Sequence, residues 1–352
     1  MSSGGAASAE AGSLARLNPG WFASVMATGI VSIAAHLEGL TAPAEVLLWA
    51  GLFFYATLCV LFGARLVLHT RPMIDDLGDH LRGMGFFTIV AGTTVLGSDC
   101  LLVGGWSGLA QGLWIAGTLS WFVLVYTVIV AQMLREPKPD LETGITGTWL
   151  VWVVATQGVA ILGHQVAGQF AGHAQSIVLF SLCMWLLGVV FYVSVITLIV
   201  FRLMFSDLEP SELSPTYWIT MGAAAISTLA GDFLILGAAD YPVTADLVPF
   251  LEGLTLLVWA TASWWIPWLL IMGVWRYVIN RYPLAFEPAW WGMVFPMGMY
   301  TAATFNLSKA IGHPALADIS AVAVWVALAA WVVTFLNMIY TLARRPLSAG
   351  AI

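Results

Sequence analysis

Apolar residues run along this chain in ten long stretches separated by short polar breaks, at residues 19–38, 42–68, 83–98, 108–134, 146–165, 172–204, 215–238, 244–278, 288–311 and 316–342. At 1.5 Å of rise per residue, each is long enough to cross roughly 30 Å of hydrocarbon as a helix. No convincing strand pattern interrupts them. The expected fold is therefore an all-α integral membrane protein with ten transmembrane helices.

The polar breaks test that count, because Lys and Arg beside a span stay on the cytoplasmic side. Arg16 precedes the first span, Arg65, Arg71 and Arg82 flank the second break, and Arg135 and Lys138 lie in the fourth. Arg202 ends the sixth span, Arg276 and Arg281 follow the eighth, and Arg344 and Arg345 follow the tenth. With ten spans, eleven of the twelve basic residues share one face and only Lys309 falls on the other. A count wrong by one would scatter them, so both termini are expected in the cytoplasm of an inner or plasma membrane. Eleven acids offset the basic residues on the inner face, whereas eight acids face one lysine in the outer half, so the net charge of −7 sits outside.

Composition agrees with this layout: 60% of the 352 residues are hydrophobic and 9% are charged, against roughly a quarter charged in a soluble domain. The three cysteines (Cys59, Cys100, Cys183) lie far apart inside apolar stretches and read as packing residues. The small, polar residues 1–17 are expected to be a disordered cytoplasmic tail, 18–343 a single transmembrane domain, and 344–352 a second cytoplasmic tail.

A repeat shows through the apolar pattern. Odd-numbered spans open with an aromatic at the cytoplasmic edge (Trp21, Phe86, Trp149, Trp218 and Trp290), at spacings of 65, 63, 69 and 72 residues. Residues 25–36 and 153–164 also align without a gap and share six of twelve positions. Five helical hairpins follow, entering from one side as parallel repeats about an axis along the membrane normal. Odd spans are rich in Gly, Ala, Ser and Thr, as in 222–231 and 300–305, whereas even spans carry bulk, as in 121–130 and 264–275. Slim helices suit a crowded centre around a central pore, with Thr28, Thr94, Thr156, Ser227 and Thr301 as candidate pore-lining hydroxyls. Small residues also serve close helix packing with no pore at all.

Charge deep in a span is scarce. Asp232, near the outer end of span 7, and Glu252, in span 8, are the deepest candidates for carrying a coupling proton, and each also fits as a tether at a helix end. No nucleotide loop, paired in-span histidines or metal-ligand spacing is present, so no cofactor, no metal and no nucleic-acid partner is expected. Pro296 is the conspicuous proline: it lies inside span 9, frees the carbonyl of Gly292 and is followed by Gly298, so a kink is expected there. Phe295 stands at that bend, either as a pore plug or as an ordinary core residue.

Four segments, NPGWFASVMATGIVS (18–32), SPTYWITMGAAAISTLAG (214–231), WWIPWLLIMGVWR (264–276) and WWGMVFPMGMYTAATFNLSKA (290–310), resemble the tellurite-resistance and dicarboxylate transporter family. That family also includes plant guard-cell slow anion channels, the yeast malate permease and fungal sulfite exporters. The resemblance runs from about residue 17 to 343. It implies five hairpins around a central pore with odd helices inside, a homotrimer with one conduit per subunit, and small anions as solutes. It also implies an occluding aromatic on the ninth helix, which here is Phe295 as the pore gate. The expected function is channel-like transport of small inorganic or organic anions without nucleotide hydrolysis, not catalysis. A proton-coupled dicarboxylate carrier or a sulfite exporter is the alternative.

Overall fold

The computed structural model describes residues 14–344. Among them there is no strand, and ten long helices follow one another in five hairpins. We number these α1 (Ala23–Leu37), α2 (Thr41–Leu68), α3 (Phe87–Leu102), α4 (Ser107–Leu134), α5 (Val151–Val166), α6 (Ala174–Phe205), α7 (Ile219–Leu236), α8 (Val248–Val274), α9 (Trp291–Ala310) and α10 (Ala315–Arg344). Nine meet the length and hydropathy of a membrane span, and α9, more polar, completes the fifth hairpin. Their ends fall within a few residues of the apolar stretches in the sequence, because the breaks carry strong stop signals such as Gly39, Gly105, Gly172 and Gly312, all at positive φ.

The odd helices form a closed ring in chain order, α1–α3–α5–α7–α9 and back to α1, and the even helices pack outside them. The spans of α1, α3, α5 and α7 are 78–89% buried and those of the even helices only 22–33%. Glycine sits in every seam of the inner ring. A Cβ on Gly92 would meet Phe22 and Val25, on Gly158 Thr94, on Gly147 the backbone of Thr216, on Gly222 Pro296, and on Gly298 Ile30 and Val31. Helices gain contact in lipid by close backbone approach, and a side chain at these points would wedge the ring open.

A second set of contacts ties the outer ring to the inner one. Each outer helix sends the polar tip of an aromatic to the inner helix of the next hairpin. Tyr55 of α2 bonds Thr93 of α3 (3.0 Å), Trp121 of α4 donates to Thr156 of α5 (2.9 Å), and Trp185 of α6 donates to the Ser227 carbonyl of α7 (2.8 Å). Trp259 of α8 donates to Thr304 of α9 (3.0 Å), and Trp331 of α10 donates to Thr28 of α1 (2.9 Å), which closes the cycle. The five rings recur every 64 to 74 residues, the same period as the opening aromatics. Each satisfies an indole or phenol that would otherwise be stranded in hydrocarbon.

The loops on the N-terminal face of the inner helices interlock through arginines. Buried Arg65 pairs with Asp76 (2.7 Å), which also takes Arg82 (2.7 Å), and the two arginines donate to the carbonyls of Ala15, Arg16 and Leu17. Residues 14–17, read in the sequence as part of a tail, are thus held against the bundle, with Leu17 buried. The rest of both predicted tails, residues 1–13 and 345–352, lies outside the described residues. On the same face Arg202 donates to the Glu142 carbonyl and to Tyr217, and Arg276 donates to the Leu213 carbonyl.

Candidate functional site

Every inner helix is preceded by a tight 3₁₀ turn: Pro19–Phe22, Gly83–Phe86, Gly147–Leu150, Pro215–Trp218 and Pro288–Trp290. Asn18, Thr146 and Ser214 occupy the cap positions of three of them; Asn18 accepts from the Gly20 amide and Thr146 from the Thr148 amide. Around these turns lies a cavity of about 240 Å³, lined from all five inner helices, with Asn18, Thr88, Thr146, Thr148, Ser214 and Thr216 as its polar wall. Five helix N-termini thus surround one chamber large enough for several waters. Their unpaired amides and aligned dipoles make such a place favourable to negative charge.

A second cavity, of about 80 Å³, lies on the same axis toward the C-terminal ends of the inner helices. It too draws on all five, through Ile30, Thr94, Gly158, Ile226, Met299 and others, and it is mainly apolar with Thr94, Ser98, Gln165 and Asn306 for polarity. The lining runs in steps of three and four residues, as the axis-facing stripe of a helix must.

The two cavities are separate. On α9 the lining passes from Gly292 in the first cavity to Met299 in the second, and Phe295, fully buried, falls between these two positions in the chain. At the same level the stripes of α3, α5 and α7 carry Ala91, Val154 or Ala155, and Gly222 or Ala223, all small or slim. The lining positions of the two cavities on α9, Gly292 and Met299, are seven residues apart, about 10 Å at 1.5 Å per residue. Neighbours of Phe295 are gripped on both sides. A Cβ on Gly222 would lie 2.7 Å from Pro296 Cγ, and one on Gly298 would lie 3.0 Å from the side chains of Ile30 and Val31. Pro296 and Gly298, noted in the sequence as kink residues, are therefore also the points where α9 touches α7 and α1. Phe295 has little room to shift without moving the helix.

The other candidate residues are spread more widely. Of the five hydroxyls, Thr94 lines the second cavity, with its Oγ1 bonded back to Val90. Thr28 and Thr156 accept the indole N–H groups of Trp331 and Trp121, so they face the outer ring. Ser227 accepts from Gln157 (3.1 Å), and Thr301 bonds back to Met297 while its carbonyl accepts from Ser320. Asp232 is fully buried, and neither carboxylate oxygen has a partner among the described residues. Glu252 is less deep than the sequence implied. A short helix, Pro242–Ala245, takes up the start of the apolar run, α8 begins at Val248, and Glu252 falls half-exposed in its second turn on the outer ring. Asp99 was missed in the sequence: it is fully buried beside α1, where Ser32 donates to it (2.7 Å). The apolar run of span 3 seemed to stop before it, but α3 continues to Leu102.

A profile of the family described as voltage-dependent anion channel matches residues 16–339. The chain belongs to that family. Among its relatives, an uncharacterized membrane protein of Mycobacterium tuberculosis is 39% identical over 152 residues, 43% of this chain and 77% of the relative. An uncharacterized transporter of Methanocaldococcus jannaschii is 23% identical over 91% of this chain and 93% of its own length. A sulfite efflux pump of Arthroderma otae is 24% identical over 93% of this chain and 91% of its own length. Family and architecture together make this a multi-pass membrane protein of anion transport.

Proposed function

We propose that the chain conducts small anions along the axis of its inner ring, channel-like and without nucleotide hydrolysis, past a barrier made by Phe295. The observation that supports this reading is the pair of cavities each lined from all five inner helices, with buried Phe295 falling on α9 between Gly292 of the first and Met299 of the second. An ion leaving the first cavity meets about two turns of apolar wall. Removing its water there costs tens of kcal/mol in the fully apolar limit, so a buried aromatic is an effective closure. Anions that shed water easily pass best through such a path.

Orientation adds a direction. The basic loops favour the cytoplasm for the face bearing the five helix N-termini. Anions then gather inside, at dipoles and hydroxyls, and leave toward a face whose unmatched charge is acidic. This arrangement supports export, and the sulfite efflux pump among the relatives suggests a small oxyanion among the solutes. The exposed apolar surface of the outer ring suits lipid or sister subunits, and the homotrimer implied by the resemblance is the assembly we propose.

Asp232 favours a second reading. A buried carboxyl without a partner is held neutral most cheaply, and a proton that comes and goes there would couple anion movement to pH. Flux of chloride, nitrate, sulfite and malate from proteoliposomes, with and without a pH gradient, separates the two. A channel gives non-saturating flux indifferent to the gradient, and a carrier gives saturable flux that the gradient drives and Asp232→Asn uncouples. No flux of any of the four would overturn both.

A further inference from the structure

Beside the anion chamber, on the same face, lies a second chamber that the conduction pathway does not use. It is bounded by the turn after the short helix Thr70–Leu77 and by the loop after α4, with Asp79, His80, Arg135 and Lys138 in its wall and Pro137 and Pro139 as stiff sides, and it is a groove open to solvent of about 270 Å³. Its charges are uneven in their commitments. Asp79 Oδ1 accepts from the amides of Leu81 and Arg82 (2.9 and 3.0 Å), and its Oδ2 pairs with Arg135 Nη1 (3.3 Å). The acid is consumed in shaping the turn and aiming one guanidinium nitrogen, which leaves the rest of the Arg135 fork open. Lys138 makes no ion pair among the described residues. The Nδ1 of His80 is shielded from solvent and has no hydrogen-bond partner. Burial first, then Arg135, hold its pKa below the usual value, with Asp79 opposing. Two cations and one carboxylate thus line the groove, with unused donors and a size fit for a tetrahedral anion.

Two further features bear on the occupant. The helix that delivers Arg135 ends in Val130, Met133 and Leu134, all exposed and apolar, as an acyl chain beside the protein would require. The chamber is also mechanically joined to the anion pathway. Leu81 lines both chambers, and Trp149, at the start of α5, donates its indole N–H to the His80 carbonyl (3.2 Å).

We propose that this chamber binds a phosphate group, from the headgroup of an anionic phospholipid or from free phosphate, and that its occupancy steadies the inner mouth of the pathway. Fork donors and an ammonium are the groups that recognise phosphate, and the apolar end of α4 favours the lipid source.

The test uses the full-length protein in detergent, read by thermal melting and by lipid retained in native mass spectrometry. Phosphatidylglycerol, phosphatidylcholine and inorganic phosphate are the three probes. R135Q/K138Q is the site variant, K138Q alone is the milder one, and R71Q is the control for general basic charge on the same face. The Arg135–Asp79 pair is partly exposed, so the double variant should melt without ligand close to the wild type. Phosphatidylglycerol, and not phosphatidylcholine, should raise the melting point and be retained. R135Q/K138Q should weaken that retention by about tenfold, the factor for one lost charge-assisted contact, and K138Q by less. If inorganic phosphate gives the same variant-dependent shift, the source is free phosphate; if only the lipid does, it is the headgroup. The proposal fails if neither probe shifts the wild type, if the site variants shift equally, or if R71Q loses the effect as fully as they do.

Discussion

The inner and outer rings are both made of apolar helices, yet they solve opposite problems. Outer helices run 27 to 32 residues, several residues beyond what the membrane needs, and turn bulky chains such as Val123, Leu257 and Val322 outward. Inner helices run 15 to 20 residues and are buried on nearly every side, yet they are poor in bulk. Their stability comes from close backbone approach at five glycine seams, whereas the outer ring is held by area and by five aromatic tips reaching inward. Buried bulk on the inner helices is confined to a few positions, among them Phe87, Trp291 and Phe295, and Phe295 is the one we propose as the barrier. The contrast teaches that small residues alone do not make a passage; they make a tight ring, in which the proposed barrier needs only a single side chain.

The comparison is broken most severely at the seams. Gly222→Val would drive a branched side chain into Pro296, and several kcal/mol of overpacking strain is expected, about 3 kcal/mol or more. Thermal melting should show it as a large drop, or the protein should fail to accumulate. Next come the aromatic tips. Trp331→Phe and Trp121→Phe keep an aromatic but remove the N–H donated to Thr28 and Thr156, and each should cost about 1 kcal/mol. Because the two contacts lie in different hairpins, their costs should add in the double variant. Asp232→Asn keeps the shape of a buried carboxyl that has no partner among the described residues, so it should leave melting nearly unchanged at neutral pH. It should abolish pH-gradient dependence of flux if the carrier reading holds. The smallest effect belongs to the lipid face: Val322→Ala should change stability by less than about 0.5 kcal/mol. If Val322→Ala proved as costly as Gly222→Val, the division between the rings would be wrong.

Much of this was legible before any coordinates. The ten spans follow from apolar runs long enough to cross a bilayer, and their hairpin order from the side chosen by the basic residues. Which face of an inner helix meets the axis was not legible. A helix buried all round has no polar stripe to mark its inward side, so Thr28 and Thr156 read as pore hydroxyls although their partners are tryptophans of the outer ring. The staple aromatics carried a usable signal, since Tyr55, Trp121, Trp185, Trp259 and Trp331 keep the repeat spacing, but only the fold shows what each one touches. Glu252 and Asp99 were misjudged for a simpler reason: apolar runs do not reveal where a helix turns, and four residues at an end move a carboxylate from the surface to the core.

The central claim is that the axis of the inner ring is the path and Phe295 its barrier. Anion current through purified protein in planar bilayers, compared for Phe295→Ala, Phe295→Leu and the wild type, tests it most directly. Current should rise as the side chain shrinks, with the alanine variant at least about tenfold above wild type, corresponding to 1.4 kcal/mol or more removed from the barrier. Equal currents from three variants that fold and melt alike would place the path elsewhere.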